Sequence, residues 1–214
     1  DKVAQVIIEN KNGTEALSAR IFIDCTGDAD LASMAGVQMQ PDEGPLQPLS
    51  SYFILGGVNI GTPMMQEAIR HNKQGENCHC LPVSEKLLER KEELGIPEFG
   101  GPWFCRTGQD GVVTVNMTRT AGNAIDNRDF VRAECILRED AFRMAKLLKD
   151  NFEGFKDSYL FAVSVQGGIR ETRRIKGIHT ITAEEYVNAY HYSDSIARGA
   201  HPIDIHVASG PAQN

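Results

Sequence analysis

Polar and apolar positions change rhythm several times along the 214 residues. VAQVIIENKNGTEALSARIFID begins with two β-rich runs flanking Asn12-Gly13, a pair that tolerates positive φ, so the pattern predicts a hairpin turning there. Ala19 to Cys25 follows as a nearly unbroken apolar run, the pattern of a strand covered on both faces. Asp30 to Ala35 predicts a short helix with Gly36 as its C′ residue. The Pro- and Gly-rich stretch from Gln38 to Gly61 surrounds one strand, Leu49 to Leu55. Helices are predicted from Pro63 to about Lys73 and from Ser84, as N-cap, to Leu94. FGGPWF reads as a loop and Gly111 to Met117 as a strand.

The longest helix is predicted from Asp129 to about Lys149, because Phe130, Ala133, Leu137, Ala141, Met144 and Leu148 recur at spacings of three and four. Tyr159 to Gln166 and Arg173 to Ile181 read as strands. Thr182 and Glu185 form a capping box that opens a helix running to about His191. No internal repeat or low-complexity segment interrupts this order. The class is α+β, with a sizeable, mainly antiparallel sheet and packed helices.

Composition narrows the functions. With 41% hydrophobic and 24% charged residues the chain can bury a sizeable core. A formal charge of −7 and the lack of any Lys/Arg stripe argue against nucleic acid as a partner. No apolar run reaches the length of a membrane span. Five cysteines, at 25, 78, 80, 105 and 135, do not form a disulfide framework in a chain this size. They and the charge balance point to a reducing, cytoplasmic setting.

Four stretches carry candidate chemistry. IFIDCTGDADLASMAG sets Thr26, Gly27, Asp28 and Asp30 where a strand turns into a helix. Unpaired N–H groups there attract an anionic cofactor edge, Gly27 permits close approach, and a carboxylate can accept from a ribityl or ribose hydroxyl. Capping of the helix by Asp28 or Asp30 accounts for the same residues more simply. GGIRETRRIKG holds Arg170, Arg173 and Arg174. In a strand Arg170 and Arg174 share one face, and such guanidinium groups suit carboxylate recognition, with Glu171 available to orient one of them. A solvated charged strand is the plain alternative. In DSIARGAHPIDIH, His206 can take up or give a proton near neutral pH and Asp204 falls on the same face to hold it, although a lone histidine is more often structural. Cys78-His79-Cys80 lacks the second ligand pair of a structural zinc site, so no metal is expected. No GxGxxG, Walker A, GxSxG or HExxH pattern occurs.

Taken in order, FIDCTGDADLASMAGV, VTVNMTRTAGNAIDNRDFVRAE, GGIRETRRIKGIHTITAEEYVNA and DSIARGAHPIDIH resemble successive segments of bacterial FAD-dependent oxidoreductases, relatives of the fumarate reductase and succinate dehydrogenase flavoproteins. The likeness covers roughly residues 17 to 37 and 112 to 206, with a looser fit between. It implies an FAD domain opened by a glycine-rich loop, interrupted by a substrate domain and closed by a C-terminal segment. Neither the opening loop nor the closing segment occurs here, and the chain starts without Met and stops at SGPAQN. The resemblance therefore implies an interior piece of a longer FAD-binding polypeptide, whose remainder is its partner. Residues 1–37 would end the first FAD half, 38–190 form the substrate or cap domain, and 191–214 return toward the FAD domain.

It further implies that Thr26 and Gly27 approach FAD by backbone and Asp28 or Asp30 by side chain. Arg170 with Arg173 or Arg174 would hold a small anionic substrate or stabilise reduced flavin, and His206 would exchange a proton. The isolated piece is expected to bind FAD weakly and to be inactive. A non-enzymatic ligand-binding domain on the same scaffold is the other reading.

Overall fold

The fold is described from a computed structural model, for residues 2–41, 44–67, 83, 87, 89–94 and 102–206. It divides into two units, one of Asp1–Glu43 with Arg173–Ala200 and the other of Gly44–Thr172 with His201–Asn214.

In the first unit, strands β1 (Gln5–Asn10) and β2 (Gly13–Ser18) form an antiparallel hairpin. Asn10 pairs with Gly13, so the two-residue turn is Lys11-Asn12, one position earlier than the Asn-Gly pair predicts. Gly13 opens the second strand at φ 105°, and the Asn10 side chain accepts from the Asn12 amide. Helix α1 (Asp30–Met34) ends as predicted: Gly36 is left-handed and donates to the Ser33 carbonyl, while Val37 donates to Ala32. These are the two bonds of a Schellman cap.

Two expected strands of this unit do not form among the described residues. Ala19 to Cys25 joins no sheet among the described residues, and Ile21 and Ile23 are each 77% exposed. Apolarity marked the run as suited to a covered strand, but a strand also needs a hydrogen-bonding neighbour. Among the described residues, Arg173 to Ile181 makes a single bridge, Ile175 to Met39, flanked by bonds from the Gln40 amide to the Arg174 carbonyl and from Lys176 to Gln38. The capping box at Thr182 and Glu185 does form, with helix α4 (Ala183–Val187) following. That helix stops before His191, because Ala189 turns left-handed at φ 50°.

The second unit carries a four-stranded antiparallel sheet of β3 (Tyr52–Gly56), β4 (Trp103–Arg106), β5 (Val113–Asn116) and β6 (Tyr159–Val163), in the order β4-β5-β3-β6. Trp103 and Phe104, read from sequence as loop, therefore belong to a strand. Alternation buries Phe53, Leu55, Val113 and Val115 completely, together with Phe104. Helix α3 (Asn127–Asn151) covers them with Ala141, Met144 and Leu148 of the predicted stripe, while its Ala133 and Leu137, also buried, pack in a second cluster with Leu49. Its N-cap is Asp126, whose side chain accepts from the Arg128 and Asp129 amides, so the helix starts two residues earlier than predicted. A 3-10 turn (Glu153–Phe155) then drives Phe155 into the core against Phe104, ring centroids 5.3 Å apart.

Of the helix predicted from Pro63, residues 63–67 are helical, and the rest to Lys73 lies outside the described residues. Val83 is already helical, ahead of the expected cap Ser84, which itself lies outside them. Short helix α2 (Lys91–Leu94) closes that stretch. No helix among the described residues is long and apolar enough to cross a membrane.

Strand β3 leaves the sheet through Gly57, at φ 71°, where an added Cβ would lie 2.6 Å from the Asp157 carbonyl oxygen. Both the conformation and the backbone contact penalise a side chain. Gly57→Ala is expected to cost about 2 kcal/mol, read as a lower urea midpoint in Trp103 fluorescence. An unchanged midpoint would show that this turn does not hold the sheet.

Candidate functional site

Each unit contains its own constellation. In the first, the Thr26-Gly27-Asp28 turn is built by a residue that sequence reasoning did not select. The Asp24 carboxylate accepts from the Thr26 amide at 3.0 Å, the Thr26 hydroxyl at 2.7 Å and the Ala32 amide at 2.8 Å. Thr26 Oγ1 in turn accepts from the Asp30 amide at 3.0 Å. Asp24 and Thr26 thus supply the cap that was ascribed to Asp28 or Asp30. The Thr26 and then the Ala32 amide bonds hold the Asp24 carboxyl below its ordinary value. Arg173 ties the turn down, donating to the Asp28 carbonyl at 3.0 Å and to Asp30 Oδ1 at 2.6 Å.

Gly27 is exposed at φ 84°, with nothing within 4 Å of where a Cβ would stand. Such bare backbone fits the approach of a flat or hydroxylated cofactor edge. The Thr26 hydroxyl and the Asp30 carboxylate already hold the turn together, so they shape it.

The second constellation gathers residues far apart in sequence. Leu49 pairs with Thr120 and Ser50 with Gly168 as isolated bridges just before β3 begins. These bridges carry Arg119 and Arg170 toward the same edge. Arg170 is exposed and donates to Ser50 Oγ at 3.0 Å. Among the described residues no carboxylate forms an ion pair with it. Arg119 is buried, and its Nη2 lies 3.1 Å from His206 Nδ1. His206, also buried, places Nε2 3.0 Å from Asp204 Oδ2. The His206 amide donates to Gln47 Oε1 at 3.1 Å, and the Gln47 amide donates to Glu171 Oε2 at 3.0 Å.

A guanidinium can only donate, so His206 Nδ1 must be the acceptor and Nε2 must carry the hydrogen that Asp204 receives. The imidazole is therefore held neutral in one tautomer. Burial lowers its basicity, the charge of Arg170 lowers it further and that of Arg119 adds to this, against the raising influence of Asp204. Burial, then the charge of Arg170, likewise depresses Arg119, with Asp204 opposing. Two like charges around a partly desolvated neutral ring make a place that favours an anion.

The structure thus brings Arg170 and His206 together, with Arg119, Asp204, Ser50 and Gln47. It puts Arg173 with Thr26, Asp28 and Asp30 in the other unit, and Arg174 on the bridge to Gln40. Arg119 escaped selection although it stands inside one of the quoted motifs. Its signal is alternation: Val113, Val115, Met117 and Arg119 share one parity, and all four are buried. Cys78, His79 and Cys80 lie outside the described residues. Cys25, Cys105 and Cys135 are free and exposed.

A family model described as FAD dependent oxidoreductase matches residues 1–214. No curated protein and no solved structure matches the chain.

Proposed function

The chain belongs to the FAD dependent oxidoreductase family, and on that premise we propose that it serves flavin-linked redox of a small anionic substrate, bound through Arg170 and Arg119. One observation carries this reading: an exposed guanidinium set on the Ser50 hydroxyl beside a buried one, with no carboxylate ion-paired to the exposed group among the described residues. Arginine's planar fork suits a carboxylate, which it can hold through two parallel N–H bonds.

FAD is the cofactor in this reading, and bound FAD supplies the electron-accepting ring. Gly27 would offer backbone to it, with Thr26, Asp28 and Asp30 fixing the turn. Arg170 and Arg119 would orient the substrate and offset negative charge, which is how protein groups assist cofactor chemistry.

Two titrations of the isotopically labelled chain test this. Malonate, a small dicarboxylate probe, is expected to bind the wild type, and Arg170→Ala to weaken it about 10- to 100-fold, the worth of one charge-assisted bond. The unfolding midpoint should not move, because Arg170 is exposed. FAD is expected to shift the Gly27 amide resonance. Equal malonate affinity in the variant would remove the anion site, and an unmoved Gly27 resonance at saturating FAD would remove the flavin assignment.

A further inference from the structure

His206 invites assignment as an acid or base, yet both of its ring nitrogens are occupied. Nδ1 faces Arg119 at 3.1 Å and Nε2 faces Asp204 at 3.0 Å. The ring's own backbone is anchored as well, since its amide is bound to Gln47, whose amide is bound to Glu171. A group meant to exchange protons with a substrate needs a nitrogen that reaches it. This ring instead bridges a buried cation and a carboxylate.

We propose that Asp204 and His206 are a positioning pair for Arg119, Asp204 fixing the imidazole with hydrogen on Nε2 so that Nδ1 accepts from the guanidinium. The proposal rests on the anion-site reading given above and says how that site is kept charged. A carboxylate placed directly on Arg119 would orient it but would also cancel much of its field over such a short distance. A neutral imidazole accepts from the same guanidinium and itself adds no opposing charge. Asp204 is 34% exposed, so water screens its charge, while its directional bond to Nε2 still selects the tautomer.

The charged groups acting on the ring are Arg119, Arg170 and Asp204. Burial and the two arginines disfavour an imidazolium, and Asp204 favours it, so the arrangement keeps the ring neutral through the neutral pH range. The same logic makes Asp204 dispensable wherever the acceptor beside Arg119 does not depend on a tautomer. Asparagine at 206 offers Oδ1 near the position of Nδ1 and needs no partner to choose its state.

Side-chain nitrogen resonances of His206 and malonate affinity, measured on the 214-residue chain, test the pair. The wild type at neutral pH should show a neutral ring with hydrogen on Nε2. Asp204→Ala and His206→Ala should each weaken malonate about tenfold, and His206→Asn should recover most of that loss. In the His206→Asn background, Asp204→Ala should change affinity by no more than about twofold, since its route through the ring is gone. A wild-type ring carrying hydrogen on Nδ1, or charged at neutral pH, would overturn the proposal. So would an Asp204→Ala penalty of the same size in both backgrounds. If the wild type binds no malonate, the anion-site reading fails while the resonances still decide how the ring is held.

Discussion

Phe155→Ala should destabilise the sheet-bearing unit by about 3–5 kcal/mol, the largest loss expected from any single truncation discussed for this chain. Phe155 is wholly buried at the end of the 3-10 turn, and its ring packs against Phe104 of β4. It joins the core formed by Phe53, Leu55, Val113 and Val115 on the sheet and by Met144 and Leu148 on α3. The turn is pinned by its own bonds, from the Phe155 amide to Phe152 and from Asn59 to Gly154, so the backbone cannot collapse to fill the gap. The loss therefore includes a cavity as well as the lost transfer energy. Domains of this size have about 5–15 kcal/mol in all, so the variant should sit close to unfolding. Urea denaturation followed by Trp103, the one tryptophan, reads the midpoint. Phe142→Ala on the exposed side of α3 is the control, expected within about 0.5 kcal/mol of wild type. Equal midpoints for the two variants would mean that the turn does not seat Phe155 in the core.

Met144 and Leu148 on α3, and the strands that carry Phe53, Leu55, Val113 and Val115, were legible in the sequence, whereas Phe104 and Phe155 were not. The α3 stripe, the alternation in β3 and β5, the Gly36 cap and the Thr182–Glu185 box are local or periodic signals, and each depends on residues a few positions apart. The misses share another cause. Ala19 to Cys25 has the composition of a covered strand, but exposure of Ile21 and Ile23 depends on what pairs with the run, which its own residues do not encode. Arg173 to Ile181 carries β-branched residues suited to a strand, yet among the described residues a single bridge to Met39 is all the pairing it gains. Trp103 and Phe104 were masked by the preceding Gly-Gly-Pro, whose turn signal outweighed two aromatic residues well suited to a sheet. The candidate site divides in the same way. Asp204 and His206 were readable as one face of an extended run, and they do meet. Arg170, Arg173 and Arg174 looked like one cluster because they are neighbours in sequence, but the chain passes from one unit to the other after Thr172. Arg119 needed the opposite reasoning: a cation continuing the inward parity of a strand is costly to bury unless it is held, and so marks a site.

Arg119→Met should act on three observables at once, because the guanidinium is both buried and shared. Methionine keeps the apolar stem and removes the charge, so packing is largely retained. His206 Nδ1 then loses its donor inside the protein, at a cost of about 1–3 kcal/mol. Malonate affinity should fall about 10- to 100-fold, comparable with Arg170→Ala. The third effect separates the two arginines. Burial first, then Arg170 and Arg119, hold the His206 ring below its ordinary basicity. In the wild type the unfolded chain therefore takes up the proton more readily than the folded one. Stability is complete above the ordinary imidazole value and declines as the pH falls through the window down to the depressed folded value. Removing Arg119 withdraws one of the charges opposing protonation and frees the Nδ1 lone pair, so Asp204 can favour an imidazolium. The His206 midpoint should rise toward its ordinary value and the acid-side loss of stability should shrink. An NMR titration of the ring beside urea midpoints across that window checks both. A midpoint that stays depressed in Arg119→Met would show that burial and Arg170 alone hold the ring neutral, and that Arg119 is not its donor.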